Sequence, residues 1–282
     1  MGVQTGESMQ VRDLLREAAE RLRAAGVGSP RTDSELLLAH VLETGRSRLY
    51  LLDVIDAVQA ERYRAAIDRR AAREPLQHIT GVVGFLDLDL LVGPGVFIPR
   101  PETEVLAQWG IDAIAGMERP TVVDLCSGSG ALALAVAHAR PDALVYAVEA
   151  SPAAVEWLRR NASGTRVHIV QSDVRDPDLL DDLRGQADLV LCNPPYVPAD
   201  VPVPAEVRAD PPSAVFAGAD GLDLIPVVAE LAASLLRDGG RLGLEHDESH
   251  PQKVARILAH HFRAMRGLPD LAGRPRFTTA VM

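Results

Sequence analysis

The chain has 282 residues, enough for one large or two modest domains, and 47% of them are hydrophobic, an ordinary share for a globular protein. Its formal net charge of −10 argues against tight sequence-independent binding to nucleic acid, which draws most of its affinity from Lys and Arg on phosphates. No apolar run approaches the roughly 18 residues that span a bilayer, residues 1–9 lack a signal-peptide core, and two cysteines, Cys126 and Cys192, cannot build a disulfide framework; together these readings point to a cytoplasmic protein.

Residues 1–75 read as a helical block. Val11, Leu14, Leu15, Ala18, Leu22 and Ala25 form an i, i+3, i+4, i+7 stripe over 11–25, which Gly26 and Gly28 end. Thr32, Asp33, Ser34 and Glu35 fit a capping box that opens a second helix through residue 42. A third, strongly charged helix spans 57–73 and stops before Pro75. The block has no Gly-rich loop and no metal-ligand spacing; it is either a bundle that only packs or one that docks a partner. Residues 79–85 and 86–92 read as the strands of a hairpin joining two domains, with Leu86, Leu88 and Leu90 alternating with Asp87 and Asp89. A turn rich in Pro and Gly over 93–102 leads into a helix over 102–115. From Pro120 strands and helices alternate. Strands are expected at 121–125, 143–148, 166–170, 187–192, 240–245 and 276–281, and helices at 131–139, 152–161, 177–183, 222–236 and 251–262. This order predicts an α/β domain with a mostly parallel sheet covered on both faces and a ligand site at the carboxyl ends of its strands.

Several of those strand ends carry candidate chemistry. Asp124 is followed by Leu125, Cys126, Ser127, Gly128, Ser129 and Gly130, a turn whose glycines let backbone approach a ligand. The turn alone fits S-adenosylmethionine, a dinucleotide or a plain tight turn, and Ala133 leaves the dinucleotide fingerprint in its Gly/Ala form. Glu149 closes the second strand, as an acceptor for ribose hydroxyls or as a solvated carboxylate. Asp173 ends the third, as an acceptor for an adenine amino group with Val174 packed on the ring, or as a helix N-cap. Asn193, Pro194, Pro195 and Tyr196 follow the apolar run 188–192. An Asn side-chain oxygen and a proline carbonyl can accept the two N–H bonds of a planar conjugated nitrogen and turn its lone pair toward a methyl donor, and Tyr196 supplies a flat face. A dehydrogenase leaves these four residues without a role, whereas a methyltransferase uses every strand end.

With Glu-Pro-Leu-Gln-His-Ile-Thr-Gly at 74–81, Phe-Ile-Pro-Arg-Pro-Glu-Thr-Glu at 97–104 and Asp-Leu-Ala-Gly-Arg at 270–274, the chain resembles the release-factor glutamine methyltransferases over nearly its whole length. The resemblance implies an α/β, class I methyltransferase domain at 94–282 with a Rossmann-like, mostly parallel seven-stranded sheet. It implies a helical substrate-docking domain at 1–75 and a β-hairpin connector at 76–93. It implies S-adenosylmethionine as cofactor, held by Cys126, Ser127, Gly128, Ser129, Gly130, Glu149, Asp173, Val174 and Asn193. Asn193, Pro194, Pro195 and Tyr196 would hold the substrate amide, with Asn193, Pro194 and Tyr196 as the catalytic groups, no metal, and Phe97 and Arg100 bordering the pocket. The substrate implied is the glutamine of the Gly-Gly-Gln motif in peptide-chain release factors, methylated on its side-chain nitrogen. A cytoplasmic monomer without nucleic-acid or membrane partners is expected. An adenine N6 methyltransferase acting on DNA or RNA shares the Asn-Pro-Pro-Tyr motif and is the alternative; a non-catalytic S-adenosylmethionine-binding adaptor is a weaker one. The chain departs from the family pattern at Cys126, where Gly is usual, at Glu149, where Asp is frequent, and at Val174, where a bulkier residue is frequent. In the methyltransferase strand order Cys126 and Cys192 end neighbouring strands, so their thiols should lie close together.

Overall fold

The computed structural model describes residues 8–282, so the reading of the amino-terminal segment lies, for residues 1–7, outside the described residues. Two compact units divide the chain: Met1–Gly81 with Pro204–Ala209, and Val82–Val203 with Asp210–Met282.

The first unit contains α1 (Val11–Ala24), α2 (Pro30–Val41), α3 (Ala57–Ala71) and α4 (Leu76–Thr80), with a short pairing of β1 (Met9–Gln10) and β2 (Val54–Ile55). Val11, Leu14, Ala18 and Leu22 of the expected stripe are buried, against Leu37, Leu38, Tyr63 and Ile67. The expected capping box at residues 32–35 is not one. Pro30 opens α2, where its fixed φ and missing N–H are tolerated, and residues 32–35 lie inside the helix. Their acids pair with arginines instead, one within α2 and two beyond it. Glu35 meets Arg31 at 3.0 Å and Arg46 at 2.8 Å, and Asp33 meets the buried Arg70 at 2.8 Å. The capping box belongs to α3, where Asp56 accepts from the Gln59 N–H at 2.8 Å and Gln59 returns the bond at 3.2 Å. Arg70 also reaches Glu206 of the 204–209 segment at 3.0 Å, and Arg73 grips the same carboxylate at 2.7 Å.

The second unit begins with the hairpin of β3 (Val82–Phe85) and β4 (Leu88–Leu91). The expected strand over 79–85 is therefore shortened, because 76–80 is helical and Gly81, at φ +77°, ends that helix in the left-handed region. Leu86 sits in the hairpin turn at φ +48°, not on a strand. Next come α5 (Thr103–Ala113), β5 (Thr121–Leu125), α6 (Ala131–Ala139), β6 (Leu144–Glu149), α7 (Pro152–Asn161), β7 (His168–Gln171) and β8 (Ala187–Cys192). After a long loop come α8 (Pro212–Val215), α9 (Ile225–Leu235), β9 (Leu236–Glu245), α10 (Pro251–Leu258), β10 (Arg263–Pro269) and β11 (Pro275–Val281). The seven strands lie in the order β10-β11-β9-β8-β5-β6-β7, parallel except for β11, which runs antiparallel to both neighbours.

Alternate residues of the central strands feed opposite cores. Val122, Leu189 and Leu191 pack in one, with Leu106 of α5 and Val136 of α6. Val123, Leu125, Val190 and Cys192 pack in the other, with Val228 of α9 and Val254 of α10. Three expectations change. The segment 177–183 carries only a short 3-10 turn at Asp181–Leu183. β9 starts at Leu236, taking that residue from the expected helix and 237–239 from the stretch between expected elements, and α10 stops at Leu258 instead of residue 262, while 263–269, given no element from the sequence, form β10. Among the described residues no helix is long and apolar enough to cross a membrane.

Among the described residues, Arg70 is the one cation that Asp33 meets. Arg70→Ala strands that carboxylate, so the variant should lose about 3–5 kcal/mol and show a lower midpoint on thermal unfolding. An unchanged midpoint would remove the buried pair from the stability of this unit.

Candidate active site

From β5 the chain proceeds outward through β6 and β7, then returns to place β8 on the other side of β5. The loops leaving β5 and β8 thus diverge at a topological switch point, where open α/β sheets form a crevice. Leu125 pairs with Cys192 in register, so the 126–130 and 193–196 segments leave the sheet side by side.

The 126–130 loop is a left-handed turn. Cys126 stands at φ +61° and Gly128 at φ +55°. A Cβ on Gly128 would meet no atom within 4 Å, so the loop presents bare backbone to open space, the cradle a nucleoside-bearing ligand needs. Glu149 pins this turn from β6: Oε2 accepts from the Gly128 N–H at 2.8 Å and Oε1 from the Ser151 N–H at 2.7 Å. Each oxygen keeps a lone pair for a hydroxyl donor. Ser127 and Ser129 are buried. Asp124, beneath the loop, accepts from the Ala133 N–H at 3.1 Å through Oδ2, while buried Oδ1 has no hydrogen-bond partner among the described residues. Burial pushes its carboxyl up to about 7. Asp173 is exposed and accepts from the Arg175 N–H at 2.9 Å, capping a turn instead of a helix. Val174 is buried with Val148 and Leu179, in the core under the strand ends.

The 193–196 segment is held from behind. Asn193 Nδ2 donates to Thr103 Oγ1 at 3.2 Å, Thr103 Oγ1 donates to Glu245 Oε2 at 2.8 Å, and the Tyr196 hydroxyl donates to Glu245 Oε1 at 3.0 Å. Pro194 is buried, while Asn193, Pro195 and Tyr196 are half-buried. Val197 and Phe216 pair across the following loop. Gly221, at φ +75°, lies so close behind that a Cβ there would sit 2.2 Å from the Tyr196 carbonyl oxygen. Burial pushes the Glu245 carboxyl up to about 7 and the Tyr196 hydroxyl well above its usual range. Phe97 lies under the Arg100 guanidinium, 4.9 Å from its ring centre. Arg100 pairs with the fully buried Asp210, which also accepts from the Ile98 N–H at 3.0 Å. Thr103, Asp210 and Glu245 were not singled out from the sequence. Thr103 lies within the 97–104 segment and Glu245 ends an apolar strand, both usable signals; Asp210 carries none. Cys192 is fully buried, and its thiol is pushed well up, first by burial and then by the neighbouring Cys126 thiol. The two strands are adjacent, as their expected order required.

The Asp124 carboxyl titrates higher in the folded chain than in the unfolded one, so folding is favoured by the protonated form. Its contribution to stability is present at low pH and is lost as pH rises from 3.8 through about 7. Asp124→Asn, which can still accept from the Ala133 N–H, should raise the thermal midpoint above pH 7 relative to the parent and match it near pH 4. A difference independent of pH would rule out this titration.

Two family models match the chain: the "PrmC N-terminal domain" over residues 13–81 and the "Methyltransferase small domain" over residues 101–203. A release factor glutamine methyltransferase of Corynebacterium glutamicum is 47% identical over 95% of this chain and 97% of its own length. One of Mycolicibacterium smegmatis is 46% identical over 96% of this chain and 97% of its own. Among solved structures, the T. thermophilus 16S rRNA N2 G1207 methyltransferase, in complex with AdoMet and guanosine, superposes with a TM-score of 0.52 at 25% identity, over 71% of this chain and 49% of that one. A bare glycine turn beside an Asn-Pro-Pro-Tyr segment at the switch point accords with those matches, and the chain belongs to the release factor glutamine methyltransferase family.

Proposed function

We propose that this protein transfers the methyl group of S-adenosylmethionine to the side-chain amide nitrogen of the glutamine in the Gly-Gly-Gln motif of peptide-chain release factors. The observation that carries the reading is the register of Leu125 with Cys192, which sets the 193–196 segment beside the 126–130 turn.

An amide nitrogen is a poor nucleophile because its lone pair is delocalised into the carbonyl. We assign Asn193 Oδ1 and the Pro194 carbonyl as acceptors of its two N–H bonds, which fixes the nitrogen and directs its lone pair. Proline suits the second acceptor because no N–H of its own competes and its φ is set. Tyr196 packs against the amide plane with its hydroxyl tied to Glu245, supported by the 3.0 Å bond. Bound S-adenosylmethionine supplies an activated methyl group on a sulfonium. Backbone of 126–130, with Cys126, Ser127, Gly128, Ser129 and Gly130, cradles it. Glu149 accepts from its ribose hydroxyls and Asp173 from its adenine amino group, and Val174 forms floor beneath. Phe97 and Arg100 border the amide side, where Asp210 compensates the Arg100 charge. Catalysis is then positioning and exclusion of water, worth several kcal/mol. Tyr50, Leu51 and Val58 leave apolar side chains exposed on the helical unit, surface of the kind a docked release factor would cover.

Labelled methyl transfer to a purified release factor, run beside duplex DNA, tests the assignment. Label on a glutamine of the protein is expected; label on DNA alone would move the activity to adenine. Asn193→Ala should abolish turnover while cofactor affinity changes by no more than a few-fold, measured by calorimetry. Full turnover in that variant would remove Asn193 from the reaction.

A further inference from the structure

The bonds behind Asn193 are directional, and their direction has chemical consequences. Thr103, at the start of α5, and Glu245, at the end of β9, are both buried and both lie outside the 193–196 segment. Thr103 Oγ1 touches Asn193 Nδ2 at 3.2 Å and Glu245 Oε2 at 2.8 Å. A hydroxyl has a single proton. An ionised Glu245 only accepts, so Thr103 must give its proton to Glu245 and offer Asn193 a lone pair. Asn193 must then turn its NH2 group toward Thr103. Its Oδ1 is left on the other side, free for an incoming N–H. The second oxygen of Glu245 fixes the Tyr196 hydroxyl in the same way, at 3.0 Å. One carboxylate thereby orients both side chains assigned to the substrate amide.

We propose that Thr103 and Glu245 are positioning residues for methyl transfer, with Glu245 as the shared acceptor that sets the amide of Asn193 through Thr103 and the ring of Tyr196 directly. This rests on the reading of 193–196 as the glutamine-amide site. The charge on Glu245 then controls the geometry. A proton on Oε2 makes Glu245 a donor to Thr103, whose own proton turns to Asn193; Asn193 must present Oδ1 to it and face the substrate with a donor. A proton on Oε1 turns the Tyr196 hydroxyl from donor to acceptor and leaves the ring held. The proton on Oε2 is the one that spoils the substrate contact.

The surroundings place this titration in an accessible range. Burial raises the Glu245 carboxyl, Thr103 and Tyr196 lower it as donors, Arg276 of β11 lowers it and Glu102 ahead of α5 raises it, for a value of about 7. The Cys192 thiol of β8, which packs with Leu244 in the other layer, feels the same charge weakly; burial first of all pushes it well up, so it stays neutral. The ordered arrangement is thus complete above about 7 and is lost as pH falls through that value.

The test uses the full chain, a purified release factor and saturating cofactor, with Thr103→Val, Thr103→Ser and Glu245→Gln beside Asn193→Ala. Thr103→Val, which keeps the shape and loses the hydroxyl, should lower kcat about a hundredfold, the scale of a misplaced reacting group. Thr103→Ser, which keeps the hydroxyl, should recover most of that loss, and cofactor affinity should change little in either. The parent should show an acid limb in kcat near pH 7 that Glu245→Gln shifts or removes. Full kcat in Thr103→Val, a loss that Ser fails to restore, or an acid limb unmoved in Glu245→Gln would each overturn the proposal. Asn193→Ala separates the two levels. If it is inactive while Thr103→Val is active, only the positioning role fails. If it is active, the assignment of the amide site fails first.

Discussion

The parallel pairing of β5 with β8 is the constraint on which the site depends. It sets Leu125 opposite Cys192, and both following loops inherit their positions from that match. A slip of one residue would exchange the two cores, because Val122 and Val123 face opposite layers, as do Leu189 and Val190. The apolar residues on both faces of these strands therefore hold the register, and the register holds the crevice. The loops contribute chemistry only because the strands beneath them cannot shift.

Four acidic groups stand near these strand ends, and three devices manage them. Glu149 spends its charge on backbone N–H groups of the neighbouring turn. Asp210 has Arg100 and a backbone N–H. Asp124 and Glu245, both nearly inaccessible, are raised toward neutrality by their surroundings.

Much of the catalytic sheet was legible because its signals are local. The strands at Thr121–Leu125 and Ala187–Cys192 and the helices at Ala131–Ala139 and Pro152–Asn161 carry continuous apolar runs or strong stripes bounded by glycine, proline or serine, and they appear at the expected residues. β10 was not legible. Its side chains are mostly exposed, so no alternation marks it, and its existence rests on pairing with β11 at the sheet edge. At α2 the Thr-Asp-Ser-Glu sequence imitated a cap, but distant arginines claimed its acids. The supports of Asn193 and Tyr196 escaped for a related reason. Thr103 and Glu245 are 142 residues apart in the chain, and no spacing rule joins them before the sheet does.

Gly221 shows how far the demands of the Tyr196 backbone extend. The tyrosine carbonyl occupies the volume where any other residue at 221 would carry its β-carbon. The left-handed backbone there closes the second reason against a side chain. A glycine 25 residues on from Tyr196 thus fixes how closely the chain can pass behind the carbonyl of that tyrosine, through the absence of one methyl group.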